Sequence, residues 1–138
     1  MKLILCTHSG FGAWFLRLVM WSRWSHAAIL DGGTVTDTTF WQGGVKQTQA
    51  DEFFKHYTTY ELRDIAVDEP AARAWLLQQV GKGYDVSALL SWVFRRDWQE
   101  DDRWFCSELA EAVITKFGTP RFRESVSRVT PRHQEMLA

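Results

Sequence analysis

The chain holds only two cysteines and three prolines in 138 residues. Two thiols are too few for a disulfide-built scaffold, and with no other mark of export Cys6 and Cys106 are expected as free thiols. Long hydrophobic runs are also lacking. The N-terminal Leu3-Ile4-Leu5-Cys6 is very short, and the next apolar stretch, Ala13 to Trp24, is interrupted by Arg17 and Arg23. Neither reads as a transmembrane segment or a signal peptide, so a cytoplasmic or phage-associated location is expected. The net charge is −1, which points to no particular partner. Arginines gather at Arg95, Arg96 and Arg103 and at Arg121, Arg123, Arg128 and Arg132. Acids are interleaved at Glu100, Asp101, Asp102 and Glu124, so no nucleic-acid partner is expected. His8, His26, His56 and His133 lack the spacing of a metal set, and no glycine loop suits a phosphate, so no metal and no cofactor are expected. Repeats, linkers and low-complexity runs are missing too, which leaves one domain over residues 1–138.

What is present is an average globular composition, 46% hydrophobic and 24% charged, with eight tryptophans. Core and rim packing is the plain use of those rings, while stacking on sugars or on acyl chains would also employ them. Lys2 to Cys6 reads as a buried strand, and Gly10 to Trp21 as a helix with Phe11, Trp14, Phe15, Leu18 and Trp21 on its apolar face. Ser25 to Leu30 and Thr34 to Phe40 read as strands of a hairpin around Asp31-Gly32-Gly33. Val45 to Gln49 and Tyr57 to Ile65 are further strand candidates, with a short helical turn from Asp51 to Phe54 between them. Asp68-Glu69-Pro70 opens a helix that fills Ala71 to Val80 and stops at Gly81 and Gly83. A second helical segment is expected from Val86 to Phe94, then a charged loop from Arg95 to Arg103. Past the third helix and Gly118-Thr119-Pro120, Thr130-Pro131 suggests an extended tail laid over the surface.

The third helix counted from Asp68 begins at Cys106. Its apolar positions, Leu109, Ala110, Val113, Ile114 and Phe117, share a face with Cys106, so the thiol is expected on the core side. A thiol is nucleophilic as thiolate, and the free amides and dipole of a helix start favour that anion. It then needs an imidazole to exchange its proton, and the imidazole needs an acceptor on its second nitrogen. His26 and Asp37 are the candidates. If Asp31-Gly32 form the hairpin turn, His26 lies opposite Asp37; if Gly32-Gly33 form it, His26 faces Thr39 and Asp37 is its diagonal neighbour on the same face. A three-residue loop without a bulge would send Asp37 to the other face.

These residues also carry a resemblance. Trp21-Ser22-Arg23-Trp24-Ser25-His26-Ala27-Ala28-Ile29 looks like the histidine strand of the permuted papain-like, YiiX-like hydrolases of the NlpC-type amidase and peptidase superfamily, to which lecithin:retinol acyltransferase-like enzymes are related. Phe105-Cys106-Ser107-Glu108-Leu109 resembles the nucleophile helix, Gly81-Lys82-Gly83-Tyr84-Asp85 a G-x-x-Y-D segment, and Val129-Thr130-Pro131 a tail motif. The resemblance implies an α+β fold, with an antiparallel sheet or small barrel against which the nucleophile helix packs. It also implies a thiol hydrolase with the permuted order of histidine and acid before cysteine. Cys106 would be the nucleophile, His26 the general base and acid, and Asp37 the orienting residue, where relatives commonly carry glutamate. The Cys106 amide is one expected oxyanion donor. His8, Ser9 and Tyr84 are further candidates for oxyanion or substrate contacts. The expected substrate is an amide or peptide bond, as in peptidoglycan stem peptides, opened through a Cys thioester. Lipid acyl transfer, thioester hydrolysis and an inactive binding module or virion component are the alternatives. The sequence sets no oligomeric state.

Overall fold

In the computed structural model, residues 1–84, 103–121 and 129–136 are described. The expected helix over residues 86–94, the loop over residues 95–102, Asp85, Arg123 and Arg128 lie outside them. The strands are β1 (Lys2–Thr7), β2 (His26–Asp31), β3 (Thr34–Thr39), β4 (Gly44–Gln49), β5 (Thr59–Asp64), β6 (Gly83–Tyr84) and β7 (Arg103–Trp104). The helices are α1 (Phe11–Met20), α2 (Ala50–Phe54), α3 (Glu69–Gln79), α4 (Cys106–Phe117) and α5 (Pro131–Met136).

Gly32-Gly33 turns the chain between β2 and β3, because Asp31 pairs with Thr34, Leu30 with Val35 and Ile29 with Thr36. Gly32 takes φ +58° there, a left-handed conformation that glycine enters without steric cost. Around this hairpin the sheet grows in the order β4-β3-β2-β1-β5, with every neighbouring pair antiparallel. β4 and β5 end on opposite edges, so the α+β fold is built on an open sheet rather than a small barrel. At the β4 edge, Val45 N–H donates to the Lys82 carbonyl at 2.8 Å. That approach requires a glycine at residue 44, since a Cβ there would lie 1.9 Å from the Lys82 oxygen.

Strand parity gives the sheet two faces. Leu3, Leu5, Ala27 and Ile29 form one core with Leu109, Ala110 and Val113 of α4 and Ala72 and Leu76 of α3. On the other face Ile4, Cys6, Ala28 and Val35 pack with Phe53 of α2. Each large aliphatic side chain buried in this way contributes about 1.5–3 kcal/mol. α3 starts as its sequence dictates, with the Asp68 side chain accepting from the Ala71 amide at 3.2 Å and Pro70 in the first turn. α4 presents to the core the face that its spacing indicates.

Two expectations need correction. The tail is not extended: residues 131–136 form α5, entered through Pro131 and tied at its start by the Thr130 amide donating to His133 Nδ1 at 3.1 Å. Buried Gln134 then donates to the Ser107 carbonyl at 3.1 Å, so the tail clamps the first turn of α4. The β5 strand begins at Thr59, leaving Tyr57 free to turn its ring inward. The apolar face of α1 is largely uncovered, with Ala13 buried and Phe11, Trp14, Phe15 and Leu18 exposed.

Candidate active site

Cys6 pairs with His26 across β1 and β2, which places both on the α2 face of the sheet. Cys106 belongs to a helix packed on the opposite face. The two meet because the β2–β3 ladder stops at Ile29–Thr36, while β3 continues against β4 through Thr39. Past that point β2 and β3 part, and the entry to α4 wedges in: Thr38 Oγ1 donates to the Trp104 carbonyl at 3.3 Å. The start of α4 therefore reaches His26 through the opening.

His26, Asp37 and Cys106 are all buried, at 7%, 1% and 3% exposure. Asp37 stands opposite Ala28 by extension of the hairpin register, making it the diagonal neighbour of His26. His26 Nε2 lies 2.9 Å from Asp37 Oδ2. The other carboxylate oxygen, Oδ1, is buried and has no hydrogen-bond partner among the described residues. A carboxylate so placed is balanced by an imidazolium.

Burial opposes the charged form of His26, but the charge of Cys106, the Asp37 hydrogen bond and a hydrogen bond with Cys106 outweigh it and carry its pKa to about 10. Nε2 is engaged by Asp37, so Nδ1 is the nitrogen left for the thiol. As the first residue of α4, Cys106 has an amide with no acceptor within the helix. The preceding amide, that of Phe105, is taken by Glu108 Oε2 at 3.2 Å, which fixes the first turn under Cys106. Ser107 Oγ donates to the Val129 carbonyl at 2.6 Å and braces it from the tail.

Two neighbours carry no motif in the sequence. Tyr57 lies parallel to the His26 ring, with centroids 5.7 Å apart and planes 2° from parallel. Burial, then the charges of Cys6, Asp37 and Cys106, push its phenol far up, and it hydrogen-bonds Cys6. Cys6 is the second. Burial first, then the charges of Cys106 and Asp37, raise its thiol well above the ordinary range, against a smaller lowering by Tyr57. The β1–β2 pairing parity could have placed Cys6 here; no local signal could have placed Tyr57.

The remaining candidates are more peripheral. His8 is exposed, with its ring 6.3 Å from that of Tyr57, and Ser9 is exposed beside it. Tyr84 is half-buried and packs its ring 5.9 Å from Phe105, the residue before Cys106. Chemically, the central group offers a thiol at a helix start, an imidazole that holds a proton and a carboxylate that orients it. Among the described residues no helix is long and apolar enough to cross a membrane. No protein-family model and no curated protein matches the chain.

Proposed function

We propose that the protein is a cysteine hydrolase of the permuted papain-like kind, acting on an amide or related acyl bond. The observation that carries this reading is the buried His26, bonded through Nε2 to Asp37 at 2.9 Å and coupled to the Cys106 thiol on its other side. In the proposed reaction Cys106 Sγ, its proton held on His26, attacks the substrate carbonyl carbon. The amide at the start of α4 stabilises the oxyanion. His26 then gives its proton to the leaving amine, the C–N bond breaks, and a thioester remains on Cys106. Water attacks that thioester with His26 as base, which restores the thiol and releases the acid. Throughout, Asp37 holds the imidazole in one tautomer and balances its charge.

The test is to trap the acyl-enzyme by mass spectrometry from a mixed panel of wall peptides, acyl lipids and model amides. One acyl mass added at Cys106 in the wild type and absent from Cys106→Ala is expected, and that mass identifies the acyl group. Hydrolysis that persists in Cys106→Ala would overturn the reading.

A further inference from the structure

The loops at the His26 end of the sheet differ from the rest of the surface. Antiparallel order puts the β1–β2 connection, which contains α1, and the β3–β4 connection at the same end as His26 and Cys106. On the first, Phe11 is 81% exposed and Trp21 78%, with Trp14, Phe15 and Leu18 also exposed; on the second, Trp41 is 91% exposed. Isolated exposed apolar side chains are ordinary on a protein surface, but rings gathered at one end are not. These rings cost hydration in water and contribute little to the core.

Residues 8–30 contain Arg17 and Arg23 and no acid, and residues 38–50 contain Lys46 and no acid. At the opposite end Asp31 pairs with Arg73, Asp64 with Lys2 and Glu69 with the N-terminus; at the His26 end Arg23 is ion-paired with Glu61 and Glu135, which leaves Arg17 and Lys46 as cations without an ion pair among the described residues. Trp, Phe and Leu on one side of a short helix, with Arg17 on that helix and Lys46 exposed on β4, describe a surface that lies in a bilayer interface and favours anionic headgroups.

From this we propose that the His26 end of the sheet docks on an anionic lipid bilayer, α1 lying in the interface and the β3–β4 turn inserting Trp41. Docking would bring the start of α4 against the membrane, so it assigns a partner to the same site; it does not depend on the thiol chemistry proposed above. Bilayer attachment is expected to be reversible, since one short helix and a few rings make a small footprint.

The test is co-sedimentation of the full chain with vesicles of phosphatidylcholine mixed with phosphatidylglycerol, against phosphatidylcholine alone. Wild type is expected to sediment with the mixed vesicles, less with the neutral ones, and less in high salt. The triple variant Phe11→Ser, Trp14→Ser, Trp41→Ser should lose roughly tenfold or more in partitioning while keeping the wild-type Tm. Leu77→Ser, exposed on α3, and Cys106→Ser should both bind as wild type does, so an inert thiol would not disturb this result. Three outcomes overturn the proposal: no sedimentation, sedimentation indifferent to the triple variant, or a Tm drop in that variant showing that the chain itself covers the face. A vesicle-free dimer that the triple variant dissolves would reassign the surface to a second copy.

Discussion

Cys6 and Cys106 are both buried thiols beside one histidine, yet their backbone settings differ. Cys6 ends a strand, packed with Ile4, Ala28, Val35 and Phe53. Its surroundings penalise the thiolate, through burial and through the negative charges it faces. Cys106 starts a twelve-residue helix, whose free amides favour an anion. On the proposed reading, burial does not separate the two thiols; what sets Cys106 apart is its place at a helix start, where free amides face an anion.

The strongest way to break this comparison is to exchange which thiol is lost. Cys106→Ala is expected to lower hydrolysis by roughly 10⁴-fold or more. Cys6→Ala should leave the reaction standing and cost on the order of 1 kcal/mol of stability through a small cavity. Equal losses of activity, measured on whichever substrate the trapping experiment identifies, would merge the two roles.

A smaller effect is expected at the acid. Asp37→Asn removes the charge facing His26 and should lower turnover by about 10²-fold or more, with Asp37→Glu recovering part of it. His26 titration followed by NMR sharpens the same point. The imidazole is expected to lose its proton near pH 10 in the wild type, and at a lower pH in Asp37→Asn. A raised folded-state pKa means that the folded chain binds this proton more tightly than the unfolded one. The stability it contributes is therefore complete below the ordinary value of 6.5 and is lost as pH rises through about 10. Denaturant unfolding at several pH values should show that decline, flattened in Asp37→Asn. The smallest change belongs to Tyr57→Phe, which keeps the ring on His26 but removes the hydroxyl from Cys6. It should slow alkylation of Cys6 by up to about fivefold, since one neutral hydrogen bond is worth about 1 kcal/mol, and leave that of Cys106 as it is.

Much of the frame was legible in the sequence because its signals are local. Gly32-Gly33 announces the hairpin, Asp68 and Pro70 the start of α3, and the spacing of Leu109, Ala110 and Val113 the buried face of α4. Hairpin parity also puts His26 and Asp37 on one face. What the sequence did not disclose depends on contacts distant along the chain. Periodicity identifies an apolar face on α1 but not whether anything covers it. The parting of β2 from β3, which lets Cys106 reach His26, leaves no mark in composition. Thr130-Pro131 suggests an extended tail, although proline also suits the first turn of a helix, and the bond from the Thr130 amide to His133 starts one there. Two-residue strands such as β6 and β7 have no period to detect.

Alkylation selectivity tests the central claim most directly. Treated with limiting iodoacetamide near neutral pH and mapped by mass spectrometry, the wild type is expected to be labelled at Cys106 well before Cys6, and His26→Ala should slow Cys106 specifically. Equal labelling of the two thiols, unchanged by His26→Ala, would contradict the account.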